Sequence, residues 1–307
     1  MIYGFNVFIL GISNIFKVLS IYIDMRPRSF EYYNPKTISE AVEILSKKGE
    51  SKLLAGGQSL IPMMKLRIFS PEELISVSEI KELEPYIKQE GQFIKIGSVT
   101  THDMLGQSEL LKEIAPVLSE AASEIADQQI RNRGTIGGNI AHGDPSTNLS
   151  AALLVLDAEV EVVGKNGKRI IPINEFFVDL FTTALEHDEI ITEIKFRPIK
   201  GSRQKFMKIA KSDTAFPMAF VAVNLLKSEN KIKDARIALG VAGPVPMRSL
   251  EAETFLKGKE LNRDNSLKAS EIAIENLEPP ADVHASAEYR KQLLKVLVKR
   301  SLDSLME

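Results

Sequence analysis

Two short glycine stretches restrict this chain more than any other feature. In the first, an apolar run (Leu53, Leu54, Ala55) stops at Gly56-Gly57-Gln58-Ser59, and Leu60 to Leu66 then reads as a short helix with Pro62 in its first turn. That order predicts a strand, a tight loop and a helix start. Glycine allows positive φ and lets the main chain approach a ligand with no Cβ between them, so successive N–H groups can face an anion such as a phosphate. No lysine or arginine lies inside the loop, so backbone dipoles would have to hold the anion. The second stretch, Gly134-Thr135-Ile136-Gly137-Gly138-Asn139, is trailed by Ile140-Ala141-His142-Gly143-Asp144-Pro145. Two backbone cradles suit a long ligand with a diphosphate in its middle. Neither stretch has the G-x-G-x-x-G spacing of a Rossmann site, and G-x-x-x-x-G-K-[ST] is absent.

Composition removes several alternatives. The 307 residues are enough for two domains with separate cores. A net charge of -2 supplies no concentrated field for nucleic acid. With Cys 0 there is no disulfide, no thiol nucleophile and no iron–sulfur cluster ligated by cysteines of this chain. The histidines His102, His142, His187 and His284 are scattered, with no partner at ligand spacing, so no metal site is expected. No nucleophile, base and orienting group can be assembled either, so the hard chemistry falls to a cofactor.

Residues 1–24 are almost uncharged apart from Lys17 and Asp24. A membrane anchor is one reading of them. A start upstream of the native one is the preferred reading, because Met25-Arg26-Pro27 opens the orderly part and no secretory signal is evident. Thr37-Ile38-Ser39-Glu40 predicts a capping box, with Ala41, Val42, Ile44 and Leu45 as the apolar helix face. Strands are expected at 52–55, 74–77 and 93–96, and Thr101 as the N-cap of a helix. Residues 109–126 have the period of one helix, kinked at Pro116. Strands 160–164 and 168–173 flank Asn166-Gly167 as a hairpin, and a further strand runs over 189–196. After a linker at 197–202, strands 205–210, 218–226 and 231–241 predict an antiparallel sheet, followed by helices at 250–256, 266–277 and 288–305.

The two glycine motifs, the continuation Ile61-Pro62-Met63-Met64-Lys65-Leu66-Arg67, the Ala141-His142-Gly143-Asp144-Pro145 tail and the ending Ala287-Glu288-Tyr289-Arg290 resemble the FAD-binding medium subunit of molybdenum hydroxylases, the relatives of xanthine dehydrogenase and carbon monoxide dehydrogenase. The resemblance runs from about Met25 to the C-terminus. It implies an α+β chain: a two-subdomain FAD-binding fold of the vanillyl-alcohol-oxidase/PCMH type (25–78 and 79–198), then a small C-terminal domain of antiparallel sheet plus helices (199–307). It further implies non-covalent FAD, with Leu53, Leu54, Ala55, Gly56, Gly57, Gln58, Ser59 and Leu60 around the diphosphate and Thr135, Ile136, Gly137, Gly138 and Asn139 completing the cradle. Thr100 and Thr101 would lie close to the flavin, although turn chemistry alone also accounts for them. Ile125, Ile191 and Lys208 match flavin contacts, with core packing and a solvated lysine as the plain alternatives. A cation at Lys208 would favour the anionic reduced flavin. Where the family usually carries an aspartate this chain has Asn148, so an ionised contact there is not carried over. His142 is either a proton donor or a turn residue. Arg131 and Arg133 are candidates to meet phosphate or to line the approach of a partner subunit, or are solvated.

Two functional classes follow. In the first, this chain is an electron-transfer subunit: a large subunit carries the molybdenum cofactor, a small subunit carries [2Fe-2S] clusters, and the assembly is a cytoplasmic dimer of heterotrimers. In the second it is a free-standing FAD oxidase. The short C-terminal part, and the absence of a histidine or cysteine in the first glycine motif for a covalent link, favour the first. A scaffold that has lost its flavin is disfavoured by the intact motifs. Substrate choice would lie on another chain, with an aldehyde such as glyceraldehyde as the expected substrate.

Overall fold

The computed structural model describes residues 25–306, so both readings of 1–24 lie outside the described residues. The first unit holds β1 (Glu31–Tyr33), α1 (Ile38–Lys47), β2 (Ser51–Leu54), α2 (Leu60–Lys65) and β3 (Glu73–Ser76), with a parallel sheet in the order β1-β3-β2. The Thr37 hydroxyl accepts from Glu40 N at 3.1 Å. Glu40 reaches back to Lys36 N at 2.8 Å, one residue before the position a capping box would use. Ala41, Val42 and Leu45 of α1 pack on Ile75 and Val77.

The second unit opens with β4 (Ile87–Glu90) and β5 (Phe93–Gly97). Then come α3 (His102–Gln107), α4 (Glu109–Ile114), α5 (Pro116–Ser123), α6 (Gln128–Arg131), α7 (Ile136–Ala141) and α8 (Asn148–Val155). It closes with β6 (Glu159–Gly164), β7 (Gly167–Pro172), α9 (Ile173–Phe176), β8 (Phe177–Asp179), β9 (Thr182–Thr183) and β10 (Ile190–Phe196). Its antiparallel sheet runs β4-β5-β10-β6-β7.

Three expectations are corrected here. The single helix over 109–126 is two, α4 and α5. Pro116 has no N–H and pushes Ala115 out of helical geometry to φ -143°, ψ 54°, so it starts a helix rather than kinking one. The second glycine stretch is the first turn of α7, capped by Thr135. The β6–β7 hairpin pairs Gly164 with Gly167, which puts Lys165 and Asn166 at its tip, one residue earlier than Asn166-Gly167. Helix α8 was not foreseen because it is buried all round, and a helix without a polar face has no amphipathic period to detect.

The third unit is β11 (Arg203–Ala210), β12 (Pro217–Ser228), β13 (Lys231–Gly240), β14 (Met247–Arg248), α10 (Leu250–Leu256), α11 (Arg263–Ala273) and α12 (Ala287–Asp303). Its antiparallel sheet is buried on both faces. Along β12, Ala219, Val221, Val223 and Leu225 face the C-terminal helices, while Phe220 and Ala222 face the core of the second unit. The seam is pinned at the C-terminus of α8, where Val155 O accepts from Asn224 Nδ2 at 3.1 Å and Arg236 Nη1 at 3.2 Å. Beside it Arg248 bridges Asp157 and Glu253.

Candidate functional site

The first glycine motif leaves β2 half-buried through Gln58 and enters α2 at an exposed Ser59, with Gly57 at φ 73°. Among the described residues the N–H groups of Gly56, Gly57, Gln58 and Ser59 have no hydrogen-bond acceptor. Polar backbone that is neither paired nor fully open to water is costly, so a run of such donors marks a place where an external acceptor belongs. The Gln58 side chain folds back, its Nε2 donating to Gly56 O at 2.9 Å. Leu53 packs toward the first core, and a Cβ on Gly57 would fall 3.2 Å from Leu54 Cδ1.

Gly56 brings the two motifs together. A Cβ placed on it would lie 2.0 Å from Arg133 O and 2.9 Å from Gly134 Cα, so only glycine lets the backbones touch. Gly137 does the same against Ser98, whose carbonyl would be 2.8 Å away. Gly138 differs: it is exposed, and its Cβ would stand 3.9 Å from Ala55 Cβ across the space between the motifs.

Apart from that of Thr135, the N–H groups of the second motif are paired within the chain, which corrects the expectation of a second full amide cradle. Ile136 N donates to Thr100 O at 3.0 Å, Gly137 N to Ser98 O at 2.8 Å and Asn139 N to Thr135 O at 2.9 Å. Gly138 N donates to Thr135 Oγ1 at 3.1 Å. What this motif turns toward a ligand is the open flank at Gly138 and the Asn139 side chain, whose Oδ1 is buried without a partner.

Thr101 and Thr135 face each other in an antiparallel bridge. His102 N to Gly134 O and Ile136 N to Thr100 O flank them, so they form the closer, non-hydrogen-bonded kind of pair, with side chains on one face. Each hydroxyl accepts from its own helix, Thr101 from Met104 N at 3.3 Å and Thr135 from Gly138 N. Each still has a proton to donate.

Three expected site residues point elsewhere. Thr100 is fully buried, and its hydroxyl accepts from Tyr86 N and donates to Tyr86 O, both at 3.1 Å. The Ile136 side chain lies in the main core. Asn148 is buried and donates through Nδ2 to Ala121 O at 3.1 Å, so it serves packing. Ile191 is buried on β10 next to a register shift, and Ile125 packs half-buried at the edge of the same core.

Lys208 is half-buried and bonded within the fold. Its Nζ donates to Glu124 O and, at 3.4 Å, to Asp213 O, and burial holds its pKa below the ordinary lysine value. Arg131 is turned inward, with Nη1 on Ile125 O at 2.9 Å and Ala126 O at 2.8 Å, so it does not line an outer approach; Arg133 is exposed. The His142 ring packs tilted against Phe181, with centroids 5.2 Å apart, and Asp144 closes a turn by accepting from Ser146 N at 2.8 Å.

His102 is a neighbour of the site. Its ring lies against Gly134, and burial, with a smaller contribution from Arg131, lowers its pKa to about 4. Nothing local in the sequence marks it beyond its place after a capping threonine.

A separate groove of ≈ 730 Å³ at the seam of the second and third units, bounded by Leu154, Ile170, Phe177, Met247 and Leu250, shares no residue with either motif. Unpaired polar groups, rather than volume, single out the cleft between the motifs.

Residues 28–198 match the family model described as FAD binding domain in molybdopterin dehydrogenase, and residues 204–305 match CO dehydrogenase flavoprotein C-terminal domain. The chain is 38% identical to the carbon monoxide dehydrogenase medium chain of Hydrogenophaga pseudoflava, covering 91% of this chain and 98% of that one. It is 31% identical to the glyceraldehyde dehydrogenase medium chain of Sulfolobus acidocaldarius, covering 92% and 100%. Superposed on the solved carbon monoxide dehydrogenase of Hydrogenophaga pseudoflava lacking the Mo-pyranopterin moiety, it gives a TM-score of 0.88 over 90% of this chain and 97% of that chain, at 38% identity.

Proposed function

The chain belongs to the FAD-binding medium subunits of the molybdenum hydroxylases, and on that premise we propose how its residues hold the cofactor. It is the FAD-carrying electron-transfer subunit of a multi-subunit molybdenum hydroxylase, an oxidoreductase whose large subunit carries molybdenum and whose small subunit carries iron–sulfur clusters. Having no cysteine, this chain leaves those clusters to its partners.

The observation that carries the proposal is the run of unpaired amides at Gly56–Ser59, pressed against Arg133 and Gly134. These donors, with the hydroxyl protons of Thr101 and Thr135, fit a diphosphate, while Asn139 Oδ1, an acceptor, would meet a hydrogen-bond donor elsewhere on the cofactor. The open flank at Gly138 leaves room for it to pass. Ile125 and Ile191 would wall the ring system, and Lys208 would supply a positive potential beside it. Bound FAD supplies a two-electron store that can be filled and emptied one electron at a time. The chain contributes binding, orientation and potential.

Relatives this similar serve complexes named for carbon monoxide and for glyceraldehyde, so glyceraldehyde as the substrate is a matter for the large subunit. A cytoplasmic dimer of heterotrimers is part of the same proposal; among the described residues no helix is long and apolar enough to cross a membrane.

Anaerobic mixing of the isolated chain with aldehydes tests the function. Its flavin stays oxidised until the molybdenum and iron–sulfur subunits are added. Rapid bleaching by substrate with no partner present would replace this function with a free-standing oxidase.

A further inference from the structure

Helix α5 ends in a turn, Glu124–Ala126, whose three successive carbonyls are each held by a cation. Lys208 Nζ takes Glu124 O, and Arg131 Nη1 takes Ile125 O and Ala126 O, with Arg131 Nη2 on Gln128 Oε1 at 3.0 Å. Ala126 sits at φ 40°, which a residue with a Cβ seldom adopts, so these bonds hold the backbone where it would not rest unaided. Both cations are half-buried. Lys208 feels Glu124 and Asp213 electrostatically, yet among the described residues no carboxylate lies within ion-pairing distance of Lys208 or Arg131. The field of Arg131 reaches both His102 and Lys208.

Two partly desolvated cations bonded to carbonyl oxygens and in direct ion-pair contact with no carboxylate are incompletely compensated, and an anion arriving nearby recovers part of that cost. We propose that Arg131 is a second cation of the cofactor site, acting with Lys208 to favour the reduced, more negatively charged form of bound FAD. This rests on the reading that the ring system lies against Ile125 and Lys208. The diphosphate carries the same charge in both redox states. An arginine serving the diphosphate would therefore strengthen both states equally and leave the potential unchanged, whereas one near the ring stabilises the reduced state selectively.

The test is the midpoint potential of FAD bound to the full chain, from dye-equilibrated titrations of wild type, Arg131→Gln, Arg131→Lys and Lys208→Gln. Glutamine keeps an N–H donor for the carbonyls and removes the charge; lysine keeps the charge and loses the planar fork. Arg131→Gln should disfavour the reduced state about tenfold, a shift of about 30 mV to lower potential for a two-electron couple, and Arg131→Lys should stay near wild type. An unchanged potential in Arg131→Gln holding one FAD per chain, beside a shifted Lys208→Gln, overturns the proposal and leaves the cofactor reading standing. If Arg131→Gln does not fold, Arg131→Lys decides: a potential as low as that of Lys208→Gln rejects a charge effect. Wild-type chain without FAD would instead defeat the cofactor reading itself.

Discussion

Glycines that look alike in the sequence have unlike neighbours. Gly56 is closed in by the Arg133 and Gly134 backbone, so Gly56→Ala should cost about 1–3 kcal/mol by forcing the motifs apart, measurable as a lower urea midpoint even without flavin. Gly138 has its nearest neighbour at 3.0 Å, the hydroxyl of Thr135, and is otherwise open, so Gly138→Val should fold with a Tm near wild type and lose FAD. Holo-level flavin in folded Gly138→Val would remove that position from the site. His102 makes stability depend on pH. Its folded pKa of about 4 lies below the unfolded value of 6.5, so between these the unfolded chain takes up a proton that the folded chain refuses. Stability contributed by neutral His102 is present above about pH 6.5 and is lost as pH falls toward 4, by up to about 3 kcal/mol. Urea midpoints across that range should flatten in His102→Gln; an equally steep dependence in the variant would assign it to other groups.

At the scale of elements, the caps decide where helices begin and the packing decides which faces they show. Thr37 and Thr101 are N-caps as expected, because that role needs only a side-chain oxygen and an N–H within three residues. Pro116 shows the same locality in ending α4. The join of α8 to the C-terminal sheet is different in kind, depending on Arg248 held between Asp157 and Glu253. Arg248→Met leaves the buried Glu253 carboxylate without its cation and should cost about 3 kcal/mol in urea unfolding. Adding Glu253→Gln should return part of that loss. Additive losses in the double variant would mean that the two residues do not act as a pair.

For the whole molecule, the arrangement that matters is convergence. The β2–α2 turn, the Thr100-Thr101 turn and the start of α7 come from separate stretches and meet through Gly56, Gly137 and the Thr101–Thr135 bridge. β11 of the third unit delivers Lys208 to the end of α5 in the second. With no histidine or cysteine in the first motif to form a bond with flavin, acid denaturation should release one FAD per chain into solution. Flavin remaining with the precipitated chain, or FMN in place of FAD, would contradict this.

By itself the sequence determined whatever acts within a few residues: the strand–glycine–helix order of the first motif, the threonine caps, the hairpin before β7 and, through the missing cysteines, that no cysteine-ligated cluster sits on this chain. Only the tertiary structure decided which polar groups remain for a ligand. Thr100, Ile136 and Asn148 turn into the fold, the amides of the second motif close on Ser98, Thr100 and Thr135, and Arg131 points inward. The physical reason is range. A cap or a turn is satisfied by its own neighbours, whereas the direction of a buried hydroxyl, amide or guanidinium is set by acceptors from distant segments, and these come into reach only when the sheets pack.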